Sequence, residues 1–465
     1  MMHLSQVASA VNGTLVGADV IVRNIAINTR ADCQGRLFVA LKGAKFDAHD
    51  YLKQAEESGA VGLMVEQEVD SALPLIKVAS TNQALVDLAA WWRSQFVLPL
   101  IGVTGSVGKT TVKEMLACIF GELGKGLVTD GNLNNEIGAP LTLMRLEPDD
   151  LYAIIEMGMN RAGEIGRLST MAKPTIALIN NAGAAHLEDL VTIKAVAKAK
   201  GEIYQGLSTD GTAVINADDE YSHIWRDLAH THKVLSFGLK SQADVRGEYK
   251  EKNGRLVVKV NTAKASFKVH VNAVGEHSVR NILAATAVAL AANIPPATIK
   301  EGLAKFAPID GRMNTVTVAG VTLINDTYNA NPASMRAAIN VLVKSADNTL
   351  IVGDMAELGA ATDVEHKTLG QQAAKRGVKT LMSCGRYAEI VADGFIGINP
   401  TGKAVAFNQQ SELLNYLRGC SLTGTVLVKG SRSAKMEQVV DAIHQQLNDN
   451  GISKARTEKG EHECF

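Results

Sequence analysis

The sequence predicts an α/β protein of three domains, with a central P-loop domain on a mostly parallel sheet and a C-terminal Rossmann-like doubly wound domain. Three observations carry that expectation. Apolar strand-like runs alternate with helical patterns along most of the chain, a glycine loop ending in Lys-Thr-Thr joins one such strand to its helix, and the alternation restarts after "PIDGRMNTV". The 465 residues, 46% of them hydrophobic, suffice for several domains.

Residues 1–95 read as a small α/β unit, in which the strands "RLFVALKG" and "AVGLMVE" flank the helical "AHDYLKQAEESGA". A central unit spans 96–312. It opens with the strand "PLIGVTG", the glycine loop and the helix "TTVKEMLACIFGEL", then adds the strands "YAIIEMG", "TIALINNAG" and "GTAVINADD" with "TIKAVAKAKGEIYQGL" as a helix among them. From Asp244 to Gly275 the period falls to two, and Asn253-Gly254 is a turn signal, so an antiparallel patch is expected. The helix "HSVRNILAATAVALAAN" follows. Over 313–452 the strands "VTLIND", "NTLIVGD", "KTLMSCG", "KAVAFN" and "GTVLVKG" each precede a helical pattern. The charged end, 453–465, lacks core-forming residues and is expected to be a disordered tail.

Composition excludes several classes of function. A formal charge of −1 without a basic block gives no electrostatic footprint for nucleic acid. Cys33, Cys118, Cys384, Cys420 and Cys464 are scattered, which argues against a disulfide framework or structural zinc and for a reducing cytoplasm. Neither a leader nor an apolar run of ~18 residues is seen, so a protein that does not span a membrane is expected.

The chemistry centres on "GVTGSVGKTT", Gly102 to Thr111. A Walker A loop is spelled Gly-x-x-x-x-Gly-Lys-Ser/Thr, and Val103 stands at its first glycine. What survives can still hold phosphate: backbone N–H groups around Gly105 to Lys109, a helix N-terminus, the Lys109 ammonium for the β- and γ-phosphates and the Thr110 hydroxyl for magnesium. Thr104, Gly105, Ser106, Val107, Gly108, Lys109, Thr110 and Thr111 are therefore read as nucleotide-binding. Glu156 ends the next strand, where a carboxylate could share magnesium with Thr110 or simply be solvated. His186 lies just past a third strand. Lys200 runs with Lys194 and Lys198 on one predicted helix, and by composition and spacing the three are a solvated basic face. The amide-rich "TDGNLNNEIGAP" could position a polar substrate or make turns. A phosphate site alone leaves a GTPase, a kinase, a motor and a ligase open.

The stretches "TGSVGKTT", "GNLNNEIGAPLTL", "EMGMNRAGEI", "NNAGAAHLE", "AKGEIY", "HSVRNILAATAVA", "DGRMN" and "NDTYNANPASMRAAI" occur in the order seen in the Mur ligases, the ATP-dependent amide-forming enzymes of peptidoglycan synthesis. The resemblance runs from about residue 25 to 445. Within that family "DTYNANPASM", "GDMAELG" and "VLVKGSRSAKME" are similar to the member acting last. Its substrates would be UDP-N-acetylmuramoyl-tripeptide, held by the first domain, and D-alanyl-D-alanine, with ATP and Mg2+ as cofactors. Another Mur ligase or a folylpolyglutamate-type ligase remains the alternative, and a non-catalytic nucleotide-binding module a more distant one. A monomer is expected.

The resemblance also implies roles. Lys109 would contact the phosphates, Thr110 and Glu156 would bind magnesium, and His186 would lie at a second metal's site. Lys200 matches a lysine that many members carry as a carbamate, which makes it an oxygen donor for metal. Asn281 would hold adenine, Arg312 and Asp326 would close over the nucleotide, and Asn135 would sit where substrate and phosphate meet. Lys109, His186, Lys200 and Asp326 are thus the catalytic candidates. Thr29 and Arg30, in "NTRAD", fall near the UDP part of the substrate, with Asn28-Thr29 where relatives often have Asp-Ser. Val107 stands where relatives often carry a polar residue.

Overall fold

The computed structural model describes residues 1–465 except 45, 185, 186, 253, 254 and 461–465, and gives the backbone alone for 187 and 450–460. The expected Asn253-Gly254 turn therefore lies outside the described residues.

Three of the four sheets among the described residues organise the chain, the fourth being the short antiparallel pair Met2–His3 and Ile21–Val22. The N-terminal sheet has five strands in the order Thr14–Val16, Leu75–Lys77, Gly62–Val65, Leu37–Val39 and Ile25–Ala26, parallel except for the first pair. Its last helix, Thr81–Ser94, starts where the Ser80 side chain accepts the Gln83 N–H, satisfying one of the N-terminal donors. The other end is fastened to the central domain. Buried Arg93 donates to the carbonyls of Ala172 at 3.1 Å and Phe96 at 2.7 Å, and Trp92 donates to the Leu146 carbonyl at 3.2 Å.

The central sheet has nine strands. Leu100–Thr104 lies between Ala153–Glu156 and Ile176–Ile179 and is parallel to both. These strands read as unbroken apolar runs because both faces are covered. On one face Val112, Met115, Leu116 and Ile119 of the helix Lys109–Gly121 pack with Val279, Ile282 and Leu283 of the helix Gly275–Ala291. Beyond Thr212–Asn216 and Lys233–Gly238, the sheet ends in Val245–Lys252, Arg255–Asn261 and Ser266–Val271, paired antiparallel as their period of two predicts.

The C-terminal sheet runs Asn314–Val318, Val321–Asp326, Thr425–Lys429, Asn348–Gly353, Thr380–Cys384, Lys403–Phe407, and only its first pair is antiparallel. The helix Pro332–Leu342 begins in a capping box made by Asn331 and Ser334, with Pro332 at its first position. The final helix, Glu437–Gly460, continues into the stretch expected to be disordered from 453; its lysine, alanine, arginine and glutamate residues are good helix formers. No described helix is long and apolar enough to cross a membrane.

Candidate active site

Parallel pairing brings three strand ends to one edge. Leu100–Thr104 leads into the glycine loop, Ala153–Glu156 ends on Glu156, and Ile176–Ile179 leads into Asn180 and Asn181. Together with the start of the C-terminal domain they line a cleft of about 1150 Å³.

The loop shape needs glycine at one position. Gly108 caps the helix with φ +82°, and a Cβ there would lie 2.6 Å from Asn281 Oδ1 and 2.7 Å from Asn180 Nδ2. The left-handed backbone alone costs an L residue roughly 1–2 kcal/mol. Gly108→Ala is therefore expected to weaken ADP binding about tenfold or more, measured by calorimetry. An unchanged affinity would show that the loop tolerates a different path.

The Lys109 ammonium folds back to donate to the Gly105 carbonyl at 2.7 Å. Burial holds its pKa below the usual lysine range, with Glu156 partly offsetting the effect. The Thr104 hydroxyl donates to the Met157 carbonyl at 2.8 Å, tying neighbouring strand ends together. Two loop N–H groups differ from expectation. Ser106 N–H donates to the Asn181 carbonyl at 3.1 Å and Val107 N–H to Asn181 Oδ1 at 2.9 Å, so these two brace the loop instead of facing an anion. The donors left for phosphate include those of the first helical turn, Lys109, Thr110 and Thr111, which have no intrahelical acceptors.

Glu156 is 2% exposed, and its Oε1 accepts from Asn134 Nδ2 at 2.7 Å. Its Oε2 is buried without a hydrogen-bond partner among the described residues. Such an oxygen is costly unless a cation takes it. The Thr110 hydroxyl, which accepts from Arg312 Nη2 at 2.9 Å, lines the same cleft. One orphan carboxylate oxygen and one hydroxyl fit Mg2+, which takes most of its ligands from water and phosphate. Among the described residues no group of three His, Cys, Asp or Glu side chains forms a metal cluster. His186 lies outside the described residues.

Lys200 corrects the reading of a single basic face. Lys194 and Lys198 are exposed, whereas Lys200 is 1% exposed near the end of the helix Ile193–Gly201. Two residues of helix turn it to the far side. Burial, followed by the charge of Lys109, holds its pKa well below the usual range. Of the other cationic side chains in the site, Arg312 stacks over Tyr328 with its guanidinium carbon 4.1 Å from the ring centroid, and its Nε is buried without an acceptor among the described residues.

Asp326 is part of a pair that the sequence did not suggest. Its Oδ2 lies 2.6 Å from Lys429 Nζ, and its Oδ1 accepts the Met313 N–H at 3.1 Å. Lys429 is 2% exposed and also donates to the Asn329 carbonyl at 2.8 Å. Asp326→Ala would strand that ammonium, with an expected loss of about 3–5 kcal/mol in denaturant unfolding. Adding Lys429→Met should recover part of it. A single variant as stable as the parent would remove the pair from the account.

Asn135 is exposed at the cleft, where its Oδ1 accepts the N–H groups of Ile137 at 3.2 Å and Gly138 at 2.8 Å just before the short helix Gly138–Leu143. Asn281 Oδ1 accepts from Asn180 Nδ2 at 2.9 Å. Thr29 and Arg30 do not join this group. They follow Ile25–Ala26 in the N-terminal domain, where the Thr29 hydroxyl donates to Gln54 Oε1 at 3.2 Å and Arg30 is exposed. Sequence reasoning marked the amide-rich stretch that holds Asn134 without singling that residue out, and missed Asn180, Asn181, His277 and Lys429 as cleft or bracing residues. A lysine closing the apolar "TVLVK" and two asparagines closing "IALI" were the available signals.

Residues 103–289 match the Mur ligase middle domain, and 311–432 match the Mur ligase, glutamate ligase domain. Among curated proteins, the UDP-N-acetylmuramoyl-tripeptide--D-alanyl-D-alanine ligase of Escherichia coli (strain K12) is 39% identical over 95% of this chain and 98% of its own. That of Bacillus subtilis (strain 168) is 30% identical over 96% and 99%. Among solved structures, MurF from Acinetobacter baumannii superposes with a TM-score of 0.90 at 34% identity, covering 95% of this chain and 98% of that one. MurF ligase from Thermotoga maritima in complex with ADP gives 0.82 at 25% identity over 93% and 100%.

Proposed function

The chain belongs to the Mur ligase family, and from that premise we propose that it joins D-alanyl-D-alanine to the terminal carboxylate of UDP-N-acetylmuramoyl-tripeptide at the expense of ATP, giving the pentapeptide precursor of peptidoglycan. One observation of this chain supports the ligase chemistry best. Lys109, the orphan oxygen of Glu156 and the hinge-side Arg312 converge on one cleft that the C-terminal domain helps to wall.

A carboxylate is a poor electrophile, so it must first be activated. Its oxygen attacks the γ-phosphorus of ATP, the bond to the β-bridging oxygen breaks, and ADP departs from an acyl phosphate. The amine nitrogen of D-alanyl-D-alanine then attacks the carbonyl carbon, loses a proton and expels inorganic phosphate. Lys109 and Arg312 offset charge on the transferring phosphoryl group, and the first-turn N–H groups orient the phosphates. Thr110 and Glu156 would hold Mg2+, which when bound neutralises phosphate charge; His186 is assigned to a second metal by resemblance alone. Asn281 meets adenine, Asp326 the closing side of the nucleotide, and Asn135 the junction of substrate and phosphate. Thr29 and Arg30, away from the cleft, take the UDP end, as a long substrate gripped far from its reacting carboxylate requires. Closure keeps water from the acyl phosphate.

Lys200 acts in this scheme as a carbamate. Its amine adds to CO2, forming a nitrogen–carbon bond and releasing a proton, and the product is an anion suited to metal. Burial and the like charge of Lys109 both favour the uncharged amine of Lys200, the form that adds to CO2. The working protein is a cytoplasmic monomer.

The test is phosphate release with ATP, Mg2+ and UDP-N-acetylmuramoyl-tripeptide, with and without D-alanyl-D-alanine, following the nucleotide product by mass. Release that needs both substrates, with a mass gain of the dipeptide less water, is the expected result. Release only with another amino acid would keep the chemistry and overturn the amine.

A further inference from the structure

The segment after the strand Ile176–Ile179 does more for the glycine loop than its position suggests. Asn181 grips one residue of the loop from both sides: its Oδ1 accepts the Val107 N–H at 2.9 Å and its Nδ2 donates to the Val107 carbonyl at 2.8 Å. Its own carbonyl accepts the Ser106 N–H at 3.1 Å. Asn180 adds a second hold, donating from Nδ2 to the same Val107 carbonyl at 2.9 Å and to Asn281 Oδ1 at 2.9 Å. Two residues on, the Gly183 N–H donates to Ser106 Oγ at 3.0 Å. The asparagines are in turn fixed: Asn180 N–H donates to the Thr104 carbonyl at 2.9 Å, and its own carbonyl accepts from Asn216 Nδ2 at 2.9 Å.

Val107 has no polar side chain with which to hold the loop, so the orientation of its two peptide groups is set from outside. Those groups fix the approach to Gly108, where the helix and its phosphate-facing N–H groups begin. We infer that Asn181 is a positioning residue for phosphoryl transfer, acting as a two-point template that holds the Val107 peptides so that the first-turn donors and Lys109 meet the β- and γ-phosphates. Asn180 extends the template to Asn281, joining the phosphate end of the nucleotide site to its adenine end. The inference rests on the ligase reading for the identity of the nucleotide's reaction, but the binding of a triphosphate tests it independently.

Asn181→Ala removes both side-chain contacts. Asn181→Asp keeps an acceptor for the Val107 N–H but turns an anionic oxygen toward the Val107 carbonyl. Both variants are expected to lose about 10²-fold in kcat, since a misplacement of about 1 Å in a positioned site has that effect. Both should also lose at least about tenfold in affinity for the β,γ-methylene analogue of ATP while binding AMP and the UDP-linked tripeptide within about twofold of the parent. Equal losses for AMP and the analogue would assign Asn181 a general structural role and overturn the inference. So would parental kcat in Asn181→Ala. Should the parent protein fail to ligate D-alanyl-D-alanine, the functional reading falls, and the contrast between AMP and the triphosphate analogue still decides this one. If Asn181→Ala does not fold, Asn181→Asp supplies the same contrast in a side chain of equal size.

Discussion

Lys109→Ala reduces ligation by about 10³-fold or more, with both substrates present at saturation. The ammonium is the positive side chain carried by the phosphate loop itself, and the removal of one preorganised charge from a transferring phosphoryl group has effects of this order. The other cationic side chains of the cleft, Arg280, Arg312, Lys429 and Arg432 among them, are carried by other elements than the loop. Arg312, 202 residues from Thr110 in sequence, already donates to the Thr110 hydroxyl. Loss of Lys109 also frees the Gly105 carbonyl, so ADP affinity must be measured beside turnover. Modest weakening of ADP with turnover nearly abolished fits a group that acts on the transferring phosphate. Turnover within tenfold of the parent would break the phosphate-loop assignment.

Lys200→Ala is expected to lose about 10²–10³-fold in activity, and short carboxylic acids such as formate or acetate should restore part of it. Alanine leaves a buried space where a carboxylate can take the place of the missing carbamate oxygens. Rescue should saturate with acid concentration, fade as the acid lengthens, and be absent for Lys109→Ala. Mass spectrometry of the parent under CO2 should show a gain of one CO2 that Lys200→Ala lacks. Full activity of Lys200→Ala without added acid would defeat the carbamate role. The distinction from a packing defect lies in the rescue, because a carboxylic acid has no reason to repair a cavity in proportion to its charge.

The pair of Asp326 and Lys429 gives Asp326 a structural role alongside its assigned place at the nucleotide. A loss of turnover in Asp326→Ala is therefore interpretable only with its stability in hand. The double variant with Lys429→Met separates the two effects, since it removes the stranded charge while the Asp326 carboxylate stays absent, so turnover that returns with stability is the structural part of the loss.

The legible part of this protein is the part written in consecutive residues. Buried parallel strands announce themselves as short apolar runs, the antiparallel patch by its period of two, and the glycine loop by its place between a strand and a helix. Lys109, Thr110 and Glu156 could be picked out because a parallel sheet presents its strand ends along one edge. Family resemblance supplied Lys200, Asn281, Arg312 and Asp326, which periodicity alone would have left unremarked.

Tertiary structure decided which polar groups meet. The lysine run of 194, 198 and 200 divides into two exposed residues and one buried residue because helical phase and packing, not charge, determine the face. The contacts of Asn181 with Val107 and of Lys429 with the Asp326 backbone span 74 and 103 residues, and nothing local to either partner encodes them. The reason is physical. Burial of apolar area depends on a residue's own type and spacing, and so shows in the sequence, whereas a buried amide, carboxylate or ammonium is stabilised only by the geometry of a partner that the whole fold must deliver.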